Sequence, residues 1–145
     1  MQSPILGPVV ALALWTMIVM IWMFAARMPA LKAAGIALKG RVGGRPGALD
    51  GVIAESAQWK AHNYMHLLEQ PTLFYAVTLA LAVAGFGAGL NAQLAWLYVV
   101  LRIGHSLVQA TVNIIIYRLT LFWLSSLVLL ILVVRAALVV YTFAG

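Results

Sequence analysis

Four long apolar runs set the strongest limit on what this chain can fold into. Each reaches the roughly 20 residues that an α-helix needs to cross the hydrocarbon core of a bilayer. The chain of 145 residues is 65% hydrophobic and only 8% charged, and a soluble domain of that length could not bury so much apolar surface. We therefore expect an all-α integral membrane protein in which residues 1–145 form a single transmembrane four-helix bundle. The predicted spans cover residues 4–26, 64–84, 92–116 and 119–143.

The positions of the basic residues indicate how the bundle is oriented. Most of them lie in loop 27–60, Arg118 lies in the last short connection, and the turn 85–91 carries no charge. Because cytoplasmic loops are enriched in Lys and Arg, we expect loop 27–60 to be cytoplasmic and both termini to lie on the other side. These flanking residues account for most of the formal net charge of +6, so the charge does not indicate nucleic-acid binding. The expected partner is the lipid bilayer.

Polar side chains interrupt the second and third apolar runs at helical spacing. At about 100° per residue, His62, His66 and Glu69 fall on one face of the second helix. The two helices are joined by a short turn and run antiparallel, so their polar faces can meet. Since ionisable groups are costly in hydrocarbon, such faces mark a polar interior or a functional site. The polar face of the third helix comprises Arg102, His105, Ser106, Gln109 and Asn113.

Two interpretations of these polar faces remain open. In the structural interpretation, Glu69 and Arg102 form a buried ion pair, and the side chains of His105 and Gln109 complete its hydrogen bonds. In the functional interpretation, the two faces line an anion site open to the cytoplasm. Arginine suits a carboxylate or a thiolate there, because its planar guanidinium stays charged and donates several hydrogen bonds. The residues of this anion site are His66, His105, Gln109, Asn113 and Arg118, with Arg27 nearby.

No metal site is predicted. His62, His66 and Glu69 have a spacing compatible with metal ligation on one helical face. However, the chain has no cysteine and no supporting metal motif, and a histidine near the headgroups is more often a hydrogen-bonding residue of the interface. The absence of cysteine also excludes disulfides and a cysteine nucleophile.

Three sequence features together resemble the MAPEG family, the membrane-associated proteins in eicosanoid and glutathione metabolism. They are the run NYMHLLEQPTLFY at residues 63–75, the pair Arg102 and His105, and the later Arg118. The resemblance extends from the second span to the start of the fourth. This version of the motifs is similar to that of the bacterial branch of the family, which implies a bacterial inner membrane. It also implies a homotrimer that holds glutathione, as co-substrate, between neighbouring subunits at the cytoplasmic side.

The resemblance assigns roles to individual residues. Glu69, Arg102 and His105 stand at the family's glutamate, arginine and histidine, and Arg118 matches the arginine that lies near the glutathione sulfur. Such a cation favours the thiolate, which is the attacking form of a thiol. The implied function is a glutathione-dependent transferase or peroxidase that acts on lipophilic electrophiles or lipid hydroperoxides, with Arg118 as the catalytic residue. The implied glutathione-binding residues are Glu69, His66, Arg102, His105, Gln109, Asn113 and, by a loose alignment, Arg27.

Four positions depart from the family pattern. His66 stands where many members have asparagine, and Gln109 where several active members have tyrosine. Leu119 and Phe122 follow Arg118 where some members have hydroxyl side chains. These departures favour a second hypothesis, a non-catalytic membrane protein of the same fold that binds a lipid or a small anion. A transporter is disfavoured, because the chain has no internal inverted repeat.

Overall fold

The chain folds into five helical segments, which the computed structural model describes over residues 3–45 and 47–143. Only Gln70 separates α2 from α3, and its backbone angles, φ −58° and ψ −39°, are themselves helical. The two segments therefore form one interrupted helix, and the predicted all-α four-helix architecture is confirmed. The first and last helices are long and apolar enough to cross a membrane. The segments are α1 (Leu6–Ala33), α2 (Glu55–Glu69), α3 (Pro71–Val83), α4 (Leu90–Ala110) and α5 (Ile115–Phe143).

Pro71 causes the interruption between α2 and α3. Proline has no N–H, so the carbonyl of Leu67 loses its helical donor at this point. The hydroxyl of Thr72 donates to the carbonyl of Glu69 at 2.6 Å, which satisfies one acceptor at the end of α2. The Pro71 ring is buried. As a result, α3 begins directly where α2 ends, and the polar first half of this helix is joined to an apolar second half.

Rows of side chains at heptad spacing form the core. α1 packs on α2, α3 and α4, while α5 packs on α3 and α4. The rings of Phe74 and Tyr98 stack in this core with their centroids 4.5 Å apart. On the outside, large apolar side chains such as Ile21 and Trp123 are exposed, which suits a surface in contact with lipid. The two clearest buried rows are Ile5, Leu12 and Val19, which begin just before α1 and continue along it, and Leu67, Phe74 and Leu81 on α2 and α3.

α1 continues beyond the predicted end of its span at residue 26 and reaches Ala33. Its last turns are supported by packing rather than by lipid, because Leu31 is buried in a small apolar cluster with Ile53 and Ala57. This cluster fastens the long connection between α1 and α2 to the bundle.

α4 ends at Ala110, before the predicted end of its span at residue 116. Asn113 adopts a left-handed backbone conformation with φ +51°, which asparagine tolerates better than most residues. The helix therefore stops and the chain turns before α5. The turn 111–114 lies at the same end of the bundle as the long connection 34–54, and we call this end the basic end.

The opposite end of the bundle is closed by hydrogen bonds between chain segments. The N–H of Ile5 donates to the carbonyl of Gly87 at 2.9 Å. Asn91 accepts a hydrogen bond from Arg135 Nε through Oδ1 and donates through Nδ2 to the carbonyl of Phe86 at 2.8 Å. Arg135, which interrupts the last apolar helix, thus has a polar partner within the protein.

Candidate functional site

The polar faces of α2 and α4 meet the first turns of α5 at the basic end and leave a cavity there. The rings of His66 and His105 lie edge to face with their centroids 6.2 Å apart, and the ring of Phe122 lies 6.3 Å from that of His105. The cavity volume of about 380 Å³ falls within the range of about 300–1,000 Å³ that is usual for small-molecule sites. This first cavity is lined by His66, His105, Ile115, Arg118, Leu119 and Phe122.

Arg118 is the only arginine among the described residues that line the first cavity. Its Nη1 donates to Asn113 Oδ1 at 2.6 Å, so the turn between α4 and α5 orients the guanidinium. Its Nε is buried and has no acceptor among the described residues. An unpaired buried N–H is costly, and a guanidinium in this state is poised to bind an anionic group.

Glu69 and Arg102 do not form the intramolecular ion pair that the structural interpretation expects. Arg102 is 1% exposed, and its Nη2 donates to the backbone carbonyl of His66 at 2.8 Å. The Glu69 carboxylate is largely exposed and lies 3.2 Å from the Nδ1 of His66. His66 precedes Glu69 by one turn on the same helical face, so the imidazole is the nearer partner. Arg102 instead supports the backbone that carries His66.

Hydrogen bonds among Trp15, Asn63 and Ser106 join three helices next to the first cavity, and we call these three residues the hub. The hydroxyl oxygen of Ser106 on α4 accepts from Trp15 Nε1 at 2.9 Å and from Asn63 Nδ2 at 2.7 Å. Asn63 and Ser106 are fully buried. Sequence reasoning placed Ser106 on the polar face but missed both donors. For Asn63 the available signal was its position three residues before His66, whereas nothing in the local pattern marked Trp15.

The structure gathers some of the predicted site residues and separates others. His66, His105 and Arg118 line the first cavity, and Asn113 joins them through its bond to Arg118. Gln109 is 1% exposed and does not line the cavity. Arg27 lines a second cavity of about 470 Å³, together with Arg41 and Arg45 of the long connection.

The first cavity offers cationic and imidazole groups to a ligand and has an apolar wall. Leu119 and Phe122, two of the positions that depart from the family pattern, both line it, so those positions supply no hydroxyl near Arg118. No carboxylate is among its described lining residues. This donor set fits a small anionic ligand that takes hydrogen bonds from Arg118 and the imidazoles.

Comparison with known proteins supplies the family. A sequence profile of the MAPEG family matches residues 5–138, which include all of α1, α2, α3 and α4 and most of α5. The chain matches no curated protein and no solved structure. MAPEG proteins are helical membrane proteins, so the predicted integral membrane character and contact with lipid are confirmed. Members of the family generally use glutathione. On the profile match and the fold, the chain belongs to the MAPEG family.

Proposed function

We propose that this protein is a membrane-embedded, glutathione-dependent transferase or peroxidase that acts on lipophilic electrophiles or lipid hydroperoxides. The observation that carries the proposal is Arg118, whose buried Nε has no partner among the described residues while its side chain lines a largely apolar cavity. Asn113 holds the guanidinium from one side. The Nε–H side of the Arg118 guanidinium, which has no partner, is then available to the sulfur of the thiol.

The charge of Arg118 favours the thiolate over the thiol, because an adjacent cation lowers the free energy of the anionic form. The effect is strong here because apolar walls screen charge less than water does. Conjugation forms a carbon–sulfur bond while the leaving group departs with its electron pair. Peroxide reduction converts two thiols into a disulfide and the hydroperoxide into an alcohol and water.

The apolar part of the first cavity accounts for the proposed substrate class. Ile115 and Leu119 line the cavity and are exposed on the outside of the bundle. A hydrophobic substrate dissolved in the bilayer can therefore reach Arg118 without crossing water. Arg102, which is buried and donates to the backbone carbonyl of His66, acts as a positioning residue, and Glu69 orients His66.

We further propose that the protein is a homotrimer in a bacterial inner membrane, with loop 27–60 in the cytoplasm. The first cavity opens on the surface of the protomer, where Ile115 and Leu119 are exposed. A neighbouring subunit would complete one side of this opening and leave the other side open to the bilayer. The mass of the detergent-solubilised protein, measured by light scattering, tests the trimer directly.

The second candidate function is a non-catalytic protein that holds a lipid or a small anion in the first cavity. It is favoured by Leu119 and Phe122, which line the cavity and provide no hydroxyl to assist the thiolate. Thermal unfolding separates the two functions, since a bound ligand stabilises the folded state. Stabilisation by glutathione supports the enzyme, whereas stabilisation by lipid headgroups alone supports the binding protein.

Activity of the purified protein tests the proposal. We would measure conjugation of glutathione to a chlorinated aromatic compound and reduction of a lipid hydroperoxide. Removal of one donor to a developing anion commonly costs about 100-fold to 1,000-fold in rate, and we expect Arg118→Ala to fall in this range. Arg135→Ala, which removes an arginine from the opposite end, is the matched control. Unchanged activity in Arg118→Ala overturns the assigned role.

A further inference from the structure

The second cavity, at the basic end, is built from α1, α2 and the connection 34–54. Its volume is about 470 Å³. Arg27 contributes from α1, and Arg41 and Arg45 contribute from the connection. No Asp or Glu is among its described lining residues. The Asp50 carboxylate lies outside this lining and is held by two lining residues, Gln58 and His62. Three arginines in one lining therefore favour an anionic ligand, and phosphate, like carboxylate, matches the geometry of the guanidinium.

The connection that carries Arg41 and Arg45 is fastened to the bundle. Ile36 and Leu49 pack against the small apolar cluster around Leu31, and both also line the second cavity. The backbone turns at Gly43, where φ is +76°, a conformation that glycine adopts without strain. The arginines are therefore held next to the end of a spanning helix, which is the level of the lipid headgroups.

Gln58 adds a second polar feature to the same cavity. It is 5% exposed and lines the second cavity. Its Nε2 donates to Asp50 Oδ1 at 2.5 Å, whereas its Oε1 is buried and has no donor among the described residues. A buried acceptor left unpaired is costly. A ligand that carries both a phosphate and a hydroxyl or amine donor would satisfy it together with the arginines.

Apolar side chains on the connection indicate that the ligand comes from the membrane. Leu38 and Val42 are 55% and 98% exposed, and Arg41 directly precedes Val42. Apolar and basic side chains mixed in this way are typical of segments that lie in the headgroup region, where basic residues attract anionic lipids. A soluble anion would gain no binding energy from an exposed apolar side chain such as Val42 next to Arg41.

We propose that the second cavity binds the headgroup of an anionic phospholipid of the phosphatidylglycerol type. The arginines hold the phosphodiester, Gln58 Oε1 accepts from a headgroup hydroxyl, and Leu38 and Val42 contact the acyl chains. The second cavity shares no lining residue with the first. This lipid site therefore goes beyond the proposed enzymatic function, and either can fail without the other.

Titration of the full chain in a neutral detergent tests the site. The probes are short-chain phosphatidylglycerol, short-chain phosphatidylcholine and inorganic phosphate, and bound lipid is counted by native mass spectrometry. The test variant is Arg41→Gln combined with Arg45→Gln. The matched control is Lys32→Gln combined with Lys39→Gln, which removes the same charge from exposed positions outside the cavity lining.

We expect the wild-type protein to bind phosphatidylglycerol in preference to phosphatidylcholine. The arginine variant should bind it about 25-fold more weakly, since the loss of an exposed ion pair of about 1 kcal/mol corresponds to about 5-fold for each arginine. The lysine variant should stay close to the wild type. Equal losses in the two variants would mean diffuse surface charge instead of a site. Inorganic phosphate that competes as well as the lipid would mean a soluble anion, and no preference between the lipids would also overturn the proposal.

Discussion

The two cavities at the basic end differ in how far their arginines are exposed to water. In the first, Arg118 is half-buried between apolar walls and keeps one N–H without a partner. In the second, Arg41 and Arg45 are exposed and only Arg27 is half-buried. Exposed charges are screened by water and salt, so the loop arginines can attract an anion but will alter its chemistry little. A half-buried guanidinium acts in a lower dielectric and can shift the proton equilibrium of a bound thiol.

The largest effect should appear when the same glutathione conjugation assay is applied to one variant of each cavity. Arg118→Ala should reduce glutathione conjugation by about 100-fold to 1,000-fold. Arg41→Gln should leave this rate within about 2-fold, because Arg41 is exposed and outside the lining of the first cavity, so that its charge is screened. Rates of the two purified variants at fixed salt provide the measurement. Similar losses in both would show that the cavities are not functionally separate.

The hub behind the first cavity should contribute to global stability. Ser106→Ala leaves the N–H donors of Trp15 and Asn63 without their acceptor, and we expect a loss of about 1–3 kcal/mol in the free energy of unfolding. Ser126→Ala is the control, since Ser126 is half-buried and accepts a single side-chain bond, from Gln70 at 2.7 Å. Its loss should be about 0.5–1 kcal/mol. Denaturant unfolding in mixed micelles measures both, and equal losses would contradict the role of the hub.

A hydroxyl placed beside Arg118 should raise the rate of glutathione conjugation in the first cavity. Leu119→Ser introduces a donor next to the thiol position, where some family members have one. We expect the conjugation rate to rise by about 10-fold, the amount that corresponds to one added hydrogen bond of about 1.4 kcal/mol in the transition state. The control is Leu130→Ser, also exposed on α5 but outside the described lining of the first cavity. A rate that rises equally in the control would indicate a general effect on the helix.

The smallest effect should come from the turn that orients Arg118. Asn113→Gly keeps the left-handed backbone, which glycine adopts freely, but removes the acceptor for Arg118 Nη1. We expect the rate to fall by about 5-fold, the equivalent of one hydrogen bond of about 1 kcal/mol. Unfolding midpoints of the variant and the wild type should agree. A large loss of stability would show that Asn113 holds the turn instead of the guanidinium.

The fold was accessible from sequence because lipid and helical periodicity impose simple patterns. The apolar runs predicted four helices, and the spacing of His66, His105 and Arg118 placed them near one another. The pairing of Glu69 was not accessible. The sequence analysis paired the carboxylate with Arg102, but only the direction of the side chain decides that it meets His66.

Features that depend on backbone turns and distant packing also escaped prediction. Asn113 ends α4 early by adopting φ +51°, which composition alone does not reveal. The position of Arg27 in the second cavity depends on the packing of Leu31 against Ile53. These contacts join segments far apart in the chain, so local periodicity carries no signal for them.

The state of the bound thiol tests the central claim most directly. Ultraviolet difference absorbance of glutathione bound to the purified protein reports the thiolate as the pH is raised. If Arg118 stabilises the anion, the thiolate forms at a lower pH in the wild-type protein than in free glutathione, and this difference disappears in Arg118→Ala. Bound glutathione that titrates like the free thiol in the wild-type protein would contradict the account.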